Sequence, residues 1–153
     1  MQQENRSEKE KNIIAVMVFV FDNKKNLLLL KRVDNREWEP VKGGVEYNES
    51  WQTAALRELR EETGFKPFLS PQLVAIVDDE LYTPKGVKLK INGHITYCLL
   101  SEVMPVPELR DYDNEIEHDD YKWISFDGIK NEKISPPIAV KFIDKIKNIV
   151  EGL

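Results

Sequence analysis

Three glutamates in the middle of the chain have the type and spacing to do chemistry together. Glu58, Glu61 and Glu62 lie in the segment LRELREETG, whose composition is that of a helix. In a helix, positions i, i+3 and i+4 share one face, so the three carboxylates would converge there. Like charges at this spacing destabilise an isolated helix by a few tenths of a kcal/mol per pair. The face is therefore either solvated or used to hold a cation.

The chemistry open to such a face is the binding of a hard divalent cation. Carboxylate oxygens suit Mg²⁺ and Mn²⁺, which proteins usually bind through a few carboxylates together with the phosphates of a substrate. Acidic helix faces without a metal are nevertheless common. Spacing alone therefore leaves two interpretations open, a metal site and a solvated acidic face.

The residues around the acids predict how this helix is positioned. Gly43 and Gly44 permit a tight backbone that approaches its neighbours closely. Ser50 can cap the helix at its N-terminus, and Gly64 stands where a left-handed C-cap glycine belongs. The segment therefore predicts a glycine loop, a capped helix and a glycine stop, with the acids concentrated along one side.

The stretch from Gly43 to Phe65 resembles the Nudix box, the signature of the Nudix hydrolase family. The matching positions, at the family's spacing, are Gly43, Glu49, Arg57-Glu58-Leu59, Glu61-Glu62 and Gly64-Phe65. The resemblance implies an α/β fold, namely an α/β/α sandwich whose mixed sheet is flanked by the box helix and a C-terminal helix. It also implies metal-dependent hydrolysis of a phosphoanhydride bond in a nucleoside diphosphate-linked substrate.

The resemblance further assigns roles to residues of this chain. Arg57 would pair with Glu49 and orient the helix that carries the ligands. The cation would be Mg²⁺, with Mn²⁺ as a substitute, and several oxygen donors are needed because the ion must keep positions open for substrate and water. The implied metal ligands are the Gly43 carbonyl, Glu58, Glu61, Glu62 and Glu117.

Glu117 enters through a second family pattern, E-H-x-x-Y-x-W, which begins at that residue. In Nudix hydrolases this glutamate can reach the metal centre from a loop. The general base stays open among Glu58, Glu61 and Glu117. Glu61 or Glu117 is favoured, because a carboxylate bound to metal has a lowered pKa and is a poorer base than one beside it. His118 is predicted to be structural.

Several residues outside the box are candidate substrate ligands. Lys42, beside the glycine loop, would neutralise a polyphosphate chain as a point charge. Arg32 follows a predicted strand, where ligand contacts are common. A nucleobase would stack on an aromatic side chain, for which Trp38, Tyr82 and Tyr47 are available. Each also has a plain interpretation, as a solvated cation or as an aromatic residue of the core or rim.

Two resemblances within the family bear on the substrate. The run W-x-P-x-K-G from Trp38 resembles the entry to the box in asymmetric dinucleoside tetraphosphate hydrolases, and Tyr82 lies about where dinucleoside polyphosphate hydrolases carry a tyrosine. Val41-x-Gly43 also resembles pyrophosphatases of nucleoside triphosphates or dihydroneopterin triphosphate. We expect dinucleoside polyphosphates such as diadenosine tetraphosphate, with those triphosphates as the alternative. A non-catalytic nucleotide sensor is a third possibility, although it would be expected to lose box carboxylates.

Apolar runs predict the elements around the box. Strands are predicted over Ile13 to Phe21, Leu27 to Leu30, Leu73 to Val77 and Lys122 to Phe126. Asn92-Gly93 separates two alternating stretches, which favours a hairpin over one long strand with a glycine bulge. Met104 to Asn114 is predicted to be a loop, and Ile138 to Val150 carries apolar residues at helical spacing.

Length and composition limit the class of protein. The 153 residues predict a flexible N-terminal tail over 1–12 and a single Nudix domain over 13–153. A formal net charge of −5 predicts no general attraction to nucleic acid and argues against messenger-RNA decapping. Cys98 is the only cysteine, and the apolar run from Ile13 to Phe21 is too short for a bilayer. We expect a cytoplasmic monomer or homodimer with a small nucleotide substrate and no membrane partner.

Overall fold

The centre of the fold is a pair of strands whose residues are apolar on both faces. The computed structural model describes residues 10–109 and 115–153, in which β1 spans Glu10–Phe21 and β2 spans Leu27–Arg32. Successive side chains of a strand point to opposite faces of a sheet. In β1, one face contributes Val16, Val18 and Val20 to a core, and the other contributes Met17, Phe19 and Phe21 to a second core. The uninterrupted apolar run is therefore explained by burial of both faces.

The strands form one mixed sheet around β1. The others are β3 (Trp38–Glu39), β4 (Val41–Gly44), β5 (Leu69–Tyr82), β6 (Lys88–Leu99) and β7 (His118–Ile124). Their order is β3-β2-β1-β6-β5, with β4 paired to β1 and β7 paired to β2. The pair β1–β6 is parallel and the other pairs are antiparallel. As a result, β4 carries the glycine loop and β7 carries the Glu117 segment against the central pair of strands.

Helix α1, Trp51–Thr63, is held at both ends as the sequence predicts. The Ser50 hydroxyl accepts a hydrogen bond from the Thr53 backbone N–H at 3.1 Å. Gly64 follows the last turn with a left-handed φ of 76°, and its N–H donates to the Arg60 carbonyl oxygen. The buried apolar residues Ala54, Ala55 and Leu59 pack into the core on the Val16 side of the sheet.

Three shorter helices cover the opposite face of the sheet. They are α2 (Phe126–Ile129), α3 (Pro137–Val140) and α4 (Ile143–Glu151). Their buried residues Ile129, Ala139, Ile143, Ile146 and Val150 join the core of Met17, Phe19 and Phe21. Helices therefore lie on both faces of a mixed sheet, and the predicted α/β/α arrangement is confirmed.

The predicted hairpin at Asn92-Gly93 is wrong. Both residues lie inside β6, where Gly93 is opposite Ala15 of β1 and opposite Val77 of β5. A strand paired on both sides gains ladder hydrogen bonds along its whole length, and these outweigh the turn preference of two residues. The turn between β5 and β6 lies earlier, where the Thr83 N–H donates to the Val87 carbonyl at 2.9 Å.

Other element boundaries differ less from the predictions. Strand β1 begins at Glu10, so residues 10–12 belong to a strand, while residues 1–9 of the predicted tail lie outside the described residues. The same holds for residues 110–114 of the predicted loop. Strand β5 is longer than predicted, and the predicted C-terminal helix is divided into α3 and α4. No helix in the described ranges is long and apolar enough to cross a membrane.

Candidate active site

Arg57 gathers the acids of α1 around one guanidinium group. Its Nε and Nη2 donate to the two carboxylate oxygens of Glu49 at 2.8 and 2.9 Å. Its Nη1 donates to Glu58 at 2.8 Å and to Glu61 at 3.2 Å, and Nη2 also donates to the Gly44 carbonyl at 2.8 Å. The rigid fork of arginine suits this task, because its donors diverge in one plane. Arg57 thereby ties the acidic face of the helix to the glycine loop.

The pKa values of Glu49 and Glu58, two acids in contact with Arg57, are shifted in opposite directions. The Arg57 hydrogen bonds lower the pKa of Glu49 to about 2, so this carboxylate stays ionised. The pKa of Glu58 is instead raised, because burial penalises its charged form more than the contacts with Arg57 favour it. Hydrogen bonding to Glu49 in turn raises the pKa of Arg57, which remains a cation.

Gly43 meets the Glu58 carboxylate at very short range. A Cβ atom added at Gly43 would lie 2.2 Å from both Cδ and Oε1 of Glu58 and 2.6 Å from its Oε2. Only a glycine leaves room for the side chain in this position. The structure therefore brings together two of the predicted metal ligands, the Gly43 backbone and the Glu58 carboxylate.

Glu62 is the acid with the least support from the protein. It is 6% exposed, and neither of its carboxylate oxygens has a hydrogen-bond partner among the described residues. Burial raises its pKa well above the ordinary value, and the neighbouring Glu58 carboxylate adds to the shift. A buried carboxylate without a partner costs several kcal/mol in its charged form. Unpartnered oxygens beside a second carboxylate and a glycine backbone fit a hard divalent cation.

A second cluster of charges is centred on Glu39, which is 1% exposed. Its Oε2 accepts from Arg32 Nη1 at 3.4 Å and lies 2.9 Å from His118 Nε2, and its Oε1 lies 3.5 Å from Lys42 Nζ. Arg32 Nη1 also donates to Glu117 Oε1 at 3.3 Å. These contacts hold two predicted phosphate ligands, Arg32 and Lys42, beside the predicted ligand Glu117.

The pKa of Arg32 is raised chiefly by its hydrogen bonds to a further acid, Asp34, whose own pKa these bonds lower to about 2. The Nε and Nη2 groups of Arg32 both donate to Asp34 at 2.8 Å. This leaves Nη1 as the guanidinium nitrogen that contacts Glu39 and Glu117. Arg32 is therefore a fixed cation whose orientation is set by its own loop.

A cleft of about 600 Å³ opens beside these two clusters. One end is polar and contains Arg32, Lys42, Gly43 and Glu117. Much of the remaining lining is apolar and is contributed by Ala15, Met17, Val77, Leu81, Ile91, Ile95, Pro136, Pro137 and Ile138. Asp79 and Lys141 add one charge of each sign to this apolar part. A volume of this size and a lining of this kind are typical of a small-molecule site.

The aromatic residues proposed to stack on a base do not line the cleft. Leu81 lines it, so strand alternation directs the neighbouring Tyr82 to the opposite face of β5. Trp38 packs against the core, and the Nζ atoms of Lys122 and Lys31 lie 4.2 and 5.3 Å from the centroid of its ring. Tyr47 is 94% exposed. Within the described ranges, the cleft lining contains no Phe, Tyr or Trp.

Sequence reasoning missed three charged residues that the fold places at or beside the cleft. Glu39 could have been noticed as an acid flanked by Trp38 and Pro40, because a charged residue in such a setting is buried only with partners. Asp79 and Lys141 carry no comparable local signal. They are brought to the cleft by the pairing of β5 with β6 and by the position of the C-terminal helices.

Comparison with known proteins is consistent with this geometry. The family model of the NUDIX domain matches residues 11–146. The chain is 32% identical over 129 residues to an RNA pyrophosphohydrolase of Pelagibacter ubique, a match that covers 78% of each protein. It is 31% identical over 105 residues to the asymmetrical bis(5'-nucleosyl)-tetraphosphatase of Rattus norvegicus, covering 65% of this chain and 64% of that protein.

A solved structure supports the same architecture. The MutT protein from Methanosarcina mazei Go1 superposes with a TM-score of 0.68 at 24% identity, covering 92% of this chain and 96% of that one. At this level of identity the likeness shows the fold alone.

Proposed function

The chain belongs to the Nudix family and is a pyrophosphohydrolase of nucleotide substrates, and from this premise we propose that it hydrolyses dinucleoside polyphosphates such as diadenosine tetraphosphate with Mg²⁺. The observation that carries the proposal is the position of the cleft. Its polar end adjoins the box carboxylates at Gly43, and the rest of its lining is mostly apolar. A nucleotide has the same division, with a charged phosphate chain at one end and a flat base at the other.

The box supplies the ligands of the cation. Glu58 and Glu62 would hold Mg²⁺, assisted by the Gly43 carbonyl and Glu61, which leaves Glu117 free for proton transfer. When bound, the ion neutralises charge on the phosphates and lowers the pKa of a coordinated water. Nudix hydrolases generally use divalent metals, and the choice of Mg²⁺ with Mn²⁺ as a substitute follows from the hardness of carboxylate oxygen donors.

The cations of the polar end have a different task. Lys42 and Arg32 line the cleft and would bind oxygens of the phosphate chain. Each already contacts Glu39 at about the limit of an ion pair, 3.5 Å for Lys42 and 3.4 Å for Arg32. Because these contacts are long, Lys42 Nζ and Arg32 Nη1 could exchange them for phosphate oxygens, while Arg32 Nε and Nη2 stay bound to Asp34.

Glu117 is better placed than Glu61 to act as general base. Glu117 lines the cleft and its side chain is 43% exposed, so water and substrate can reach it. Glu61 does not line the cleft, and one of its oxygens accepts from Arg57 at 3.2 Å. A base must lie within hydrogen-bond reach of the water it deprotonates. We therefore assign the proton transfer to Glu117, with Arg57 and Glu49 fixing the ligand helix.

The apolar part of the cleft would take one nucleobase. Leu81, Ile91 and Ile138 offer aliphatic surfaces to a planar ring, and Asp79 and Lys141 offer an acceptor and a donor for its polar edge. A base held in this way is recognised mainly by shape and by apolar burial. The second nucleoside of a dinucleoside substrate would then lie beyond the polar end.

The alternative substrates are nucleoside triphosphates and dihydroneopterin triphosphate, which carry one such ring and a free phosphate terminus. The similarity to the rat tetraphosphatase favours the dinucleoside proposal, and the similarity to the Pelagibacter RNA pyrophosphohydrolase favours a substrate with a triphosphate end. A non-catalytic sensor is not favoured, because all box carboxylates are present.

A substrate panel tests the proposal. Diadenosine tetraphosphate, dATP, GTP, ADP-ribose, dihydroneopterin triphosphate and a 5'-triphosphorylated RNA are each incubated with enzyme and Mg²⁺, and the products are separated by anion exchange. We expect ATP plus AMP from diadenosine tetraphosphate at a kcat/KM well above the others. Higher kcat/KM with release of pyrophosphate from a triphosphate would replace the proposal by its alternative. Nucleotide binding without turnover of any substrate would instead indicate a sensor.

A further inference from the structure

The buried carboxylate of Glu39 has been given no part in metal binding or proton transfer so far. It is 1% exposed, yet its oxygens contact three different groups, Arg32, Lys42 and His118. A buried charge is costly even when paired, and an apolar residue of similar size is often at least as stable. The position of Glu39 at the end of β3, directly before Pro40 and the glycine loop, places this costly group next to the catalytic machinery.

His118 connects Glu39 to a metal ligand. Its Nε2 lies 2.9 Å from Glu39 Oε2, and its Nδ1 lies 3.8 Å from Glu62 Oε1. The ring is 2% exposed and is the first residue of β7, so both its backbone and its side chain are fixed by the sheet. The ring is held by the contact of Nε2 with Glu39, and this orientation directs Nδ1 towards Glu62. The ring therefore contacts one side of Glu62, whose oxygens have no hydrogen-bond partner among the described residues.

Arg32 connects Glu39 to the proposed general base. Its Nη1 contacts Glu39 Oε2 at 3.4 Å and Glu117 Oε1 at 3.3 Å. Glu39 is thus in contact with one side chain that faces Glu62 and another that holds Glu117. Glu62 belongs to α1, whereas Glu117 directly precedes His118 at the start of β7. Glu39 therefore links the two acids through the side chains of Arg32 and His118, in addition to the peptide bond between Glu117 and His118.

We infer that Glu39 and His118 are positioning residues, which set the distance and orientation of Glu62 relative to Glu117 across the polar end of the cleft. The inference rests on the proposed function for its catalytic meaning. It follows from the chain of contacts Glu117–Arg32–Glu39–His118–Glu62, in which Glu39 and His118 are buried and Arg32 is half-buried. Groups that orient metal ligands in this way typically change metal affinity or activity by 10- to 100-fold when removed.

A direct metal role for the same three side chains is the competing explanation. One ligand atom each from Glu39, Glu62 and His118 lies within 4.8 Å of the others. Glu39, however, already has two cationic groups, Arg32 and Lys42, within 3.5 Å. A divalent ion bound to Glu39 would be repelled by both cations. The geometry therefore favours a positioning role for Glu39 over a role as metal ligand. The number of Mn²⁺ ions bound per chain distinguishes the two explanations.

The test uses Glu39→Gln and His118→Gln in the full chain, with Asp119→Asn as the matched control. Asp119 follows His118 directly and forms an exposed ion pair with Arg36 at 2.6 Å, away from the cleft. Mn²⁺ binding is titrated without substrate, from the electron paramagnetic resonance signal of the free ion. Kcat and KM are then measured on the best substrate of the panel.

We expect both variants to bind Mn²⁺ about 10- to 100-fold more weakly than the control and to lose kcat by a similar factor, with KM changed by less than about threefold. Their double variant should lose little more than either single one, because the two residues act as one unit. Mn²⁺ affinity and kcat equal to those of the control, in folded variants, would refute the inference. Loss of one whole equivalent of Mn²⁺ in His118→Gln, with the remaining affinity unchanged, would make the ring a ligand and would also refute it.

A replacement variant and the wild-type control cover the two cases in which the main comparison fails. If Glu39→Gln does not fold, His118→Asn replaces it. The amide of asparagine can reach only the position of the imidazole Nδ1, whereas the longer amide of His118→Gln can reach only the position of Nε2. Neither histidine variant should bind Mn²⁺ as tightly as the wild type if the link between Glu39 and Glu62 matters. Wild-type affinity in either variant would overturn the positioning role. A wild-type protein that binds Mn²⁺ but hydrolyses no nucleotide would refute the proposed function, and the titration would then decide the inference alone.

Discussion

Substitution of Gly43 by alanine is expected to reduce turnover strongly while leaving the free energy of unfolding nearly unchanged. The added Cβ would lie 2.2 Å from Cδ and Oε1 of Glu58, whereas ordinary contact begins at 3.4 Å. The carboxylate must therefore retreat by about 1.2 Å, the difference between those two distances. The atoms that clash are at the far end of a flexible side chain, so the backbone need not move.

The expected cost follows from this displacement. A misplacement of about 1 Å in a catalytic group can reduce turnover by about 100-fold. Glu58 would also move away from Arg57 Nη1, now at 2.8 Å, which loosens a second contact of the ligand helix. The free energy of unfolding should hardly change, because replacing glycine by alanine restricts the unfolded chain and offsets the modest strain by about 0.4–1 kcal/mol.

The adjacent glycine provides the control. A Cβ at Gly44 would meet no heavy atom within 4 Å, and the Gly44 carbonyl that accepts from Arg57 is retained in alanine. Initial rates with Mg²⁺ and thermal unfolding by circular dichroism are measured for Gly43→Ala and Gly44→Ala in parallel. A Gly43→Ala enzyme within about threefold of the Gly44→Ala rate would show that Glu58 need not occupy its observed position, and the geometric reasoning would be wrong.

Three further predictions concern charge. Glu62→Gln should abolish most turnover but keep the fold, because it removes a ligand charge and little volume; retained activity, checked by initial rates alongside a melting curve, would contradict the metal assignment. Lys42→Ala should mainly raise KM for long polyphosphates, unlike the exposed turn variant Lys85→Ala, and equal KM values would remove Lys42 from the phosphate site. Glu49 has a pKa lowered from 4.5 to about 2 by Arg57, so its stabilisation is complete above pH 4.5 and is lost as the pH falls towards 2. The melting temperature of Glu49→Gln should accordingly lie below that of the wild type at pH 6 and converge with it near pH 2, and a constant difference would count against the ion pair.

The sequence was sufficient to predict the parts of the site that depend on local geometry. Ser50, Gly64 and the acids of α1 act within one helix, where spacing alone determines which side chains meet. The ion pair of Arg57 with Glu49 was likewise implied by the family resemblance and is present at 2.8 Å. Contacts within one helix or one turn leave a signal that can be recognised without the rest of the chain.

Contacts between distant elements left no such signal. Asn92 and Gly93 have the composition of a turn, but β1 and β5 hold them in a strand, and a Cβ at Gly93 would lie 3.3 Å from Val77 Cγ2. Tyr82 and Trp38 were proposed to bind the base because of their type. Whether an aromatic ring faces a cleft depends on strand alternation and on neighbours such as Lys122, which no local pattern encodes.

The distribution of charge in the site favours the binding of a divalent cation. Arg57 is a single cation shared by four acids, and Arg32 and Lys42 both face the buried Glu39. Glu62 receives no hydrogen bond from any described residue. A polyphosphate would bring several more negative charges to this end of the cleft, where burial strengthens repulsion. An added divalent cation relieves both problems, so a chelator is expected to weaken nucleotide binding as well as to stop turnover, and Mg²⁺ or Mn²⁺ should restore both. Calorimetric titration with a non-hydrolysable analogue, with and without chelator, tests this directly, because unchanged affinity would mean that the protein's own cations suffice.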